Sequence, residues 1–121
     1  MAPEKARVFY VEDDDDSRAT GIEFLEMGGH KVVEQATSLD EALRKIPGLG
    51  KKKVNVAVVD GNLSQMDDSG RDGERVAKEI KNQHPEIKVV GHALKKPLQN
   101  ADVNSTKYDG GSKLIETVTK I

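Results

Sequence analysis

The sequence contains no cysteine and no tryptophan, and its only other aromatic residues are two tyrosines and two phenylalanines. Without cysteine the chain has no disulfide, no thiolate metal site and no cysteine nucleophile. No apolar run approaches the roughly 18 residues that a membrane span needs, and no signal-like apolar stretch begins the chain. We therefore expect a cytoplasmic protein without membrane association.

Neither sign of charge is in clear excess, because 19 basic residues face 21 acidic ones and the net charge is -2. This balance offers no general attraction to nucleic acid or to an anionic membrane. The acids are concentrated, however, with a consecutive run from Glu12 to Asp16. A chain of 121 residues has the size of one small domain. We predict a single domain over residues 1–121, with a loose N-terminus at residues 1–5.

Apolar residues come in short runs, which favours strands buried on both faces and hence a parallel sheet covered by helices. Strands are predicted at residues 8–11, 31–33, 54–59, 87–94 and 101–106, and helices at 17–27, 38–44, 74–82 and 112–120. Gly28 and Gly29 are typical of a left-handed helix end, and Ser38 to Glu41 form a capping-box pattern. Strands and helices therefore alternate, which predicts a doubly wound α/β domain with helices on both faces.

Acidic side chains follow two of the predicted strands at the point where each strand ends. Glu12 and Asp13 follow the first strand, and Asp60 follows the third. If these strands are neighbours, three carboxylates converge where ligands of such sheets bind. Unit charges about 4 Å apart interact by about 4 kcal/mol at an effective dielectric constant of 20, so the cluster calls for a cation. Mg²⁺ suits a few carboxylates with room for water, and it would prepare the site for phosphoryl transfer.

These residues resemble the receiver domain of bacterial response regulators over about residues 6–121. The resemblance rests on the acidic pair Glu12 and Asp13, on Asp60, on Asn62 two residues beyond it, and on a lysine at the last strand. It implies a flavodoxin-like, five-stranded parallel sheet of order 2-1-3-4-5. It also implies that Asp60 accepts a phosphoryl group from a histidine kinase or a phosphotransfer protein, in two-component or phosphorelay signal transduction.

The resemblance further implies a role for each site residue. Glu12, Asp13 and Asp60 would hold Mg²⁺, with the backbone carbonyl of Asn62, and Lys107 would pair with a phosphate oxygen. Asp15 and Asp16 would instead cap the helix that starts near Ser17. The domain would be a phosphoacceptor rather than a conventional enzyme, and whether it catalyses its own phosphorylation and dephosphorylation stays open. It would act as a monomer or weak dimer on a downstream protein.

Lys96 is the alternative to Lys107, since it is followed by Pro97 as the family's lysine usually is followed by proline. The chain between Asp60 and Lys96 is too short for the helices and strands that must lie there, so Lys107 fits better. The stretch from His92 to Lys107 leaves room only for a short or irregular fourth helix.

Two positions depart from the family's pattern. His92 stands where a serine or threonine normally binds the phosphate, although its ring N–H could donate to a phosphate. Asn104 stands where the last strand normally carries an aromatic switch residue. These departures support an alternative, a receiver-like protein-interaction module that signals without phosphorylation. Metal-dependent phosphatase or nuclease chemistry is a weaker reading, because the sequence offers no second base.

Overall fold

A computed structural model describes residues 6–60, 71–93 and 101–106, and for residues 60, 71, 72, 92, 93 and 103–106 it describes the backbone alone. The strands are β1 (Arg7–Val11), β2 (Lys31–Ala36), β3 (Val56–Asp60), β4 (Lys88–Ala93) and β5 (Val103–Thr106). The helices in these ranges are α1 (Asp15–Met27), α2 (Leu39–Lys45) and α3 (Arg71–Gln83), and a 3-10 turn at Ile46–Gly48 follows α2. None of these helices is long and apolar enough to cross a membrane.

The five strands form one parallel sheet in the order β2-β1-β3-β4-β5. Successive side chains of a strand point to opposite faces, so the sheet supports two apolar cores. Phe9 and Val11 belong to the core that α2 and α3 cover. Val8 and Tyr10 belong to the core that α1 covers. The predicted doubly wound fold, its strand order and its helices on both faces are therefore confirmed, while the fourth crossover and the helix predicted at residues 112–120 lie outside the described residues.

Element boundaries differ from the sequence prediction where polar side chains find partners across the fold. Strand β2 extends to Ala36 rather than ending at residue 33. It lies at the edge of the sheet, and there Glu34 accepts a hydrogen bond from Lys45 of α2 at 3.0 Å. The pattern of apolar residues cannot indicate this extension, because the stabilising contact is polar and long-range.

Two helix ends follow the predicted capping chemistry. The hydroxyl of Ser38 accepts a hydrogen bond from the backbone N–H of Glu41 at 3.1 Å. The Glu41 carboxylate in turn accepts the backbone N–H of Thr37 at 2.6 Å, one residue earlier than a standard capping box. At the end of α1, Gly29 adopts a φ of 91°, the left-handed conformation that glycine tolerates.

A lysine clamp ties β5 to the turn between α3 and β4. Lys81 of α3 donates to the backbone carbonyls of Pro85 and Ile87, at 3.2 and 3.0 Å, and to the Asp102 carboxylate at 3.1 Å. The same carboxylate accepts the backbone N–H of Val89 at 2.8 Å, while the Asp102 N–H donates to the Val89 carbonyl at 2.8 Å. Partial burial alone would raise the pKa of Asp102, but the hydrogen bonds from Val89 and Lys81 outweigh it and hold that pKa below 3.8.

Candidate functional site

Glu12 lies at the carboxyl end of β1 and is only 2 % exposed. Its backbone N–H donates to the Ala36 carbonyl at 3.0 Å, so the β1 to β2 pairing continues one residue past the strand. Its Oε2 atom accepts the backbone N–H of Asp14 at 3.5 Å. Burying a carboxylate costs free energy unless polar or cationic groups surround it. The position of Glu12 is therefore unlike that of an acid in a solvated loop, and it is suited to hold a cation.

The acidic run divides into two parts with different roles. Asp14 is the N-cap of α1, because its Oδ2 atom accepts the backbone N–H of Ser17 at 2.7 Å. Asp15 and Asp16 lie in the first helical turn, where negative charge is favourable. The prediction that Asp15 and Asp16 are the caps of a helix starting near Ser17 is thus wrong by about one position, because only Asp14 has the extended backbone that an N-cap requires. Asp14, Asp15 and Asp16 therefore stabilise the start of α1, which leaves Glu12 and Asp13 for the carboxyl edge of the sheet.

Sequence reasoning missed Arg18, which lies beside this acidic run. Its guanidinium donates to the Glu12 carbonyl at 3.1 Å and to the Asp15 carboxylate at 2.6 Å. The i,i+3 spacing of Asp15 and Arg18 is the signal that could have indicated this ion pair. Arg18 offsets part of the negative charge and fixes the chain where it turns from β1 into α1.

Asp60 is the last residue of β3, at the same level of the sheet as Glu12. Val11 pairs with Val59 across β1 and β3, so the next residues of the two strands lie side by side. Neighbouring strands are about 4.8 Å apart. Asp60 also pairs with His92 of β4, and His92 pairs with Ser105 of β5. The backbone thus sets Glu12, Asp60, His92 and Ser105 in one row across the carboxyl edge of the sheet. Sequence reasoning did not single out Ser105.

The structure describes only some of the remaining predicted site residues. Asp13 is half-buried in the turn directly after Glu12. Strand β5 ends at Thr106, immediately before Lys107, while Lys107 itself and Asn62 lie outside the described residues. Asn104 lies within β5 and pairs with Gly91. Among the side chains that the structure describes, which exclude that of Asp60, no three acidic or histidine residues form a metal-binding group.

Comparison with known proteins identifies the fold. No family model matches the sequence, and no curated protein matches it either. A CheY-like response regulator receiver domain protein from Methanospirillum hungatei is 23 % identical, with a TM-score of 0.77 over 96 % of this chain and 92 % of that one. The chain has the fold of a response regulator receiver domain.

Two further solved structures support this assignment. A response regulator from Thermotoga maritima is 20 % identical, with a TM-score of 0.74 over 96 % of both chains. The BeF3-activated receiver domain of DrrB is 19 % identical, with a TM-score of 0.72 over 96 % of both chains. The expected receiver fold is therefore confirmed, while the chemical roles of Glu12, Asp13, Asp60, His92 and Lys107 stay predictions.

Proposed function

We propose that this receiver-fold protein is a Mg²⁺-dependent phosphoacceptor that carries a phosphoryl group on Asp60 in two-component or phosphorelay signalling. One observation carries the proposal: the register of β1 and β3 sets the backbone of Asp60 level with Glu12, a carboxylate that is 2 % exposed. Its donor would be a histidine kinase or a phosphotransfer protein, and its output a downstream protein.

The chemistry requires a nucleophile and compensation for charge. A carboxylate oxygen of Asp60 attacks the phosphorus of the donor's phosphohistidine, a P–O bond forms, and the P–N bond breaks with departure of the imidazole. Lys107 would pair with an oxygen of the acyl phosphate and hold it in place. Glu12, Asp13 and Asp60 are hard oxygen donors that fit Mg²⁺, with the Asn62 carbonyl as a fourth. When bound, Mg²⁺ would offset the negative charge of the transferred group.

Intact mass spectrometry after incubation with acetyl phosphate and Mg²⁺ tests the proposal. We expect one phosphoryl adduct on the wild-type protein and none on Asp60→Ala. The matched control is Glu86→Ala, because Glu86 is an exposed acid in the turn between α3 and β4, at the opposite edge of the sheet, and its loss is expected to leave the adduct intact. An EDTA-treated sample is expected to remain unmodified. An adduct that persists in Asp60→Ala contradicts the assignment of the acceptor.

The alternative is a receiver-like interaction module that signals without phosphorylation. It is favoured by His92, whose backbone pairs directly with Asp60 at a position where a small hydroxyl residue is expected. The solved DrrB receiver domain is BeF3-activated, so this phosphoryl mimic separates the two functions. In an NMR titration, phosphoacceptor signalling predicts shifts at the carboxyl edge that extend beyond it into residues 94–104. Shifts confined to the edge, or none, support the alternative.

A further inference from the structure

Helix α1 lines an open groove of about 600 Å³ on its side that faces β2. Ala19 and Ile22 line its apolar part, Met27 lies at one end, and Gln35 contributes from β2. Both the first and the last residue of α1 line the groove, so it follows the whole helix, which is about 18 Å long at 1.5 Å per residue. A groove of this length matches a helix of about three turns.

Met27 is the first feature of this groove that folding does not explain. It is 72 % exposed, and no other large hydrophobic side chain is exposed in the part of the chain that the structure describes. A methionine in water gains nothing from the hydrophobic effect. Its flexible thioether is the type of side chain that adapts to a partner's surface.

The charge of the last turns of α1 is the second unexplained feature. Glu26 lies in the last turn, which contains no basic residue, although the helix dipole disfavours negative charge there. Glu23 lines the groove one turn earlier. Arg18 is the basic residue of α1, and its guanidinium already bonds to the Asp15 carboxylate and to the Glu12 carbonyl. An exposed apolar side chain and an unfavourable acid are therefore adjacent, and both line the same groove.

We propose that this groove binds a basic amphipathic helix of a partner protein. Apolar side chains of that helix would cover Ile22 and Met27, and its lysines or arginines would meet Glu23 and Glu26. Charge complementarity selects this occupant, because Glu23 and Glu26 of the groove would repel an acidic segment and attract a basic one. The proposal does not depend on phosphorylation of Asp60.

The test uses the full-length protein and two synthetic helical peptides of about 12 residues. Both carry leucines spaced i and i+4, and they differ only in flanking lysines or flanking glutamates. With methionine methyl groups labelled by carbon-13, we expect the lysine peptide to shift the Met27 signal and to bind at least about tenfold more tightly than the glutamate peptide.

Three variants locate the binding on the groove. We expect Met27→Ser, and separately Glu23→Gln combined with Glu26→Gln, to weaken binding of the lysine peptide about threefold to tenfold. Glu86→Gln is the control, because the Glu86 side chain is 68 % exposed and does not line the groove. All these changes are at exposed residues, and Glu26→Gln is expected to raise Tm by about 1–3 °C.

Equal affinity for both peptides, an unmoved Met27 signal, or undiminished binding by the variants would overturn the proposal. So would self-association of the wild-type protein that Met27→Ser abolishes in sedimentation experiments, because the occupant would then be a second copy. A protein that fails to accept phosphate on Asp60 but still binds the lysine peptide at Met27 would refute the proposed function and leave this inference standing.

Discussion

The amino and carboxyl edges of the sheet differ in how their polar side chains are arranged. At the amino edge several polar groups meet a complementary partner: Ala6 N–H donates to His30 Nδ1 at 3.1 Å, Arg7 N–H donates to Asn55 Oδ1 at 2.9 Å, and Lys81 donates to Asp102 at 3.1 Å. At the carboxyl edge, acids follow one another and the register adds Asp60 beside Glu12.

This difference separates residues that stabilise the fold from residues whose placement folding does not explain. Complementary groups lower the free energy of the folded chain, whereas like charges at close range raise it. Folding alone gives no reason to place acids on neighbouring strand ends. The carboxyl edge is thus where the sequence departs from what stability favours, and such departures are expected at functional sites.

The largest effect is expected when Lys81 is removed, which tests whether the polar contacts of the amino edge stabilise the fold. We expect Lys81→Met to lower the free energy of unfolding by about 1–3 kcal/mol, because the Asp102 carboxylate and the Pro85 and Ile87 carbonyls lose their donor. Urea denaturation measures the change. Lys78→Met is the control, because Lys78 is an exposed residue of the same helix, and its loss should change the free energy by less than about 0.5 kcal/mol. Equal effects would mean that the clamp adds no stability.

The clamp also predicts a pH dependence of stability. The folded pKa of Asp102 lies below 3.8, so its contribution is complete above the unfolded pKa and is lost as the pH falls through the folded value. We expect Asp102→Asn to cost about 1–2 kcal/mol at neutral pH. The gap from wild type should stay constant down to about pH 5 and shrink below the unfolded pKa. Urea titrations across this range measure it, and a gap that widens in acid would contradict the assignment.

A third substitution tests whether every acid of the carboxyl edge is unfavourable for folding. Asp14→Ala should cost about 1 kcal/mol although it removes negative charge, because the N-cap bond to the Ser17 N–H is lost. Asp14→Ser keeps a capping oxygen without the charge and should restore most of the stability. If alanine were as stable as serine here, charge rather than capping would dominate at Asp14. Thermal unfolding compares the three proteins.

The smallest effect is expected at Asp13, which the proposed function assigns to the metal. Asp13→Asn should leave the metal-free protein as stable as wild type or stabilise it by up to about 1 kcal/mol, because one of several neighbouring negative charges is removed. Mg²⁺ should raise Tm of the wild type, since a ligand that binds only the folded state stabilises it. The rise should be smaller in Asp13→Asn and unchanged in Glu86→Gln, because Glu86 is exposed at the opposite edge of the sheet. An equal rise in all three would place Mg²⁺ elsewhere.

The sequence predicted the fold well because the core depends on local composition. Short apolar runs rich in valine mark β1, β3 and β4, and alternation with helices limits the chain to a doubly wound parallel sheet. Capping was predicted where a single local motif specifies it, as at Ser38. It was misplaced at Asp14, because several acids in a row offer more than one candidate cap and only backbone geometry selects among them.

Long-range polar contacts were not predictable in this way. Lys81 and Asp102 lie 21 residues apart and meet only because β5 pairs with β4. The same holds for the groove of α1, since its acids look like an ordinary solvated helix face until Met27 is seen to be exposed beside them.

By itself, the sequence determined the α/β architecture and the candidate acids Glu12, Asp13 and Asp60, because burial of apolar residues and the position of acids after strands are read from neighbouring residues. The tertiary structure decided that Asp14 caps α1, that Arg18 pairs with Asp15, and that Glu12 and Asp60 lie at the same level of adjacent strands. The physical reason is register: pairing between distant strands sets distances that no local pattern contains, and the chemistry of a carboxylate depends on those distances.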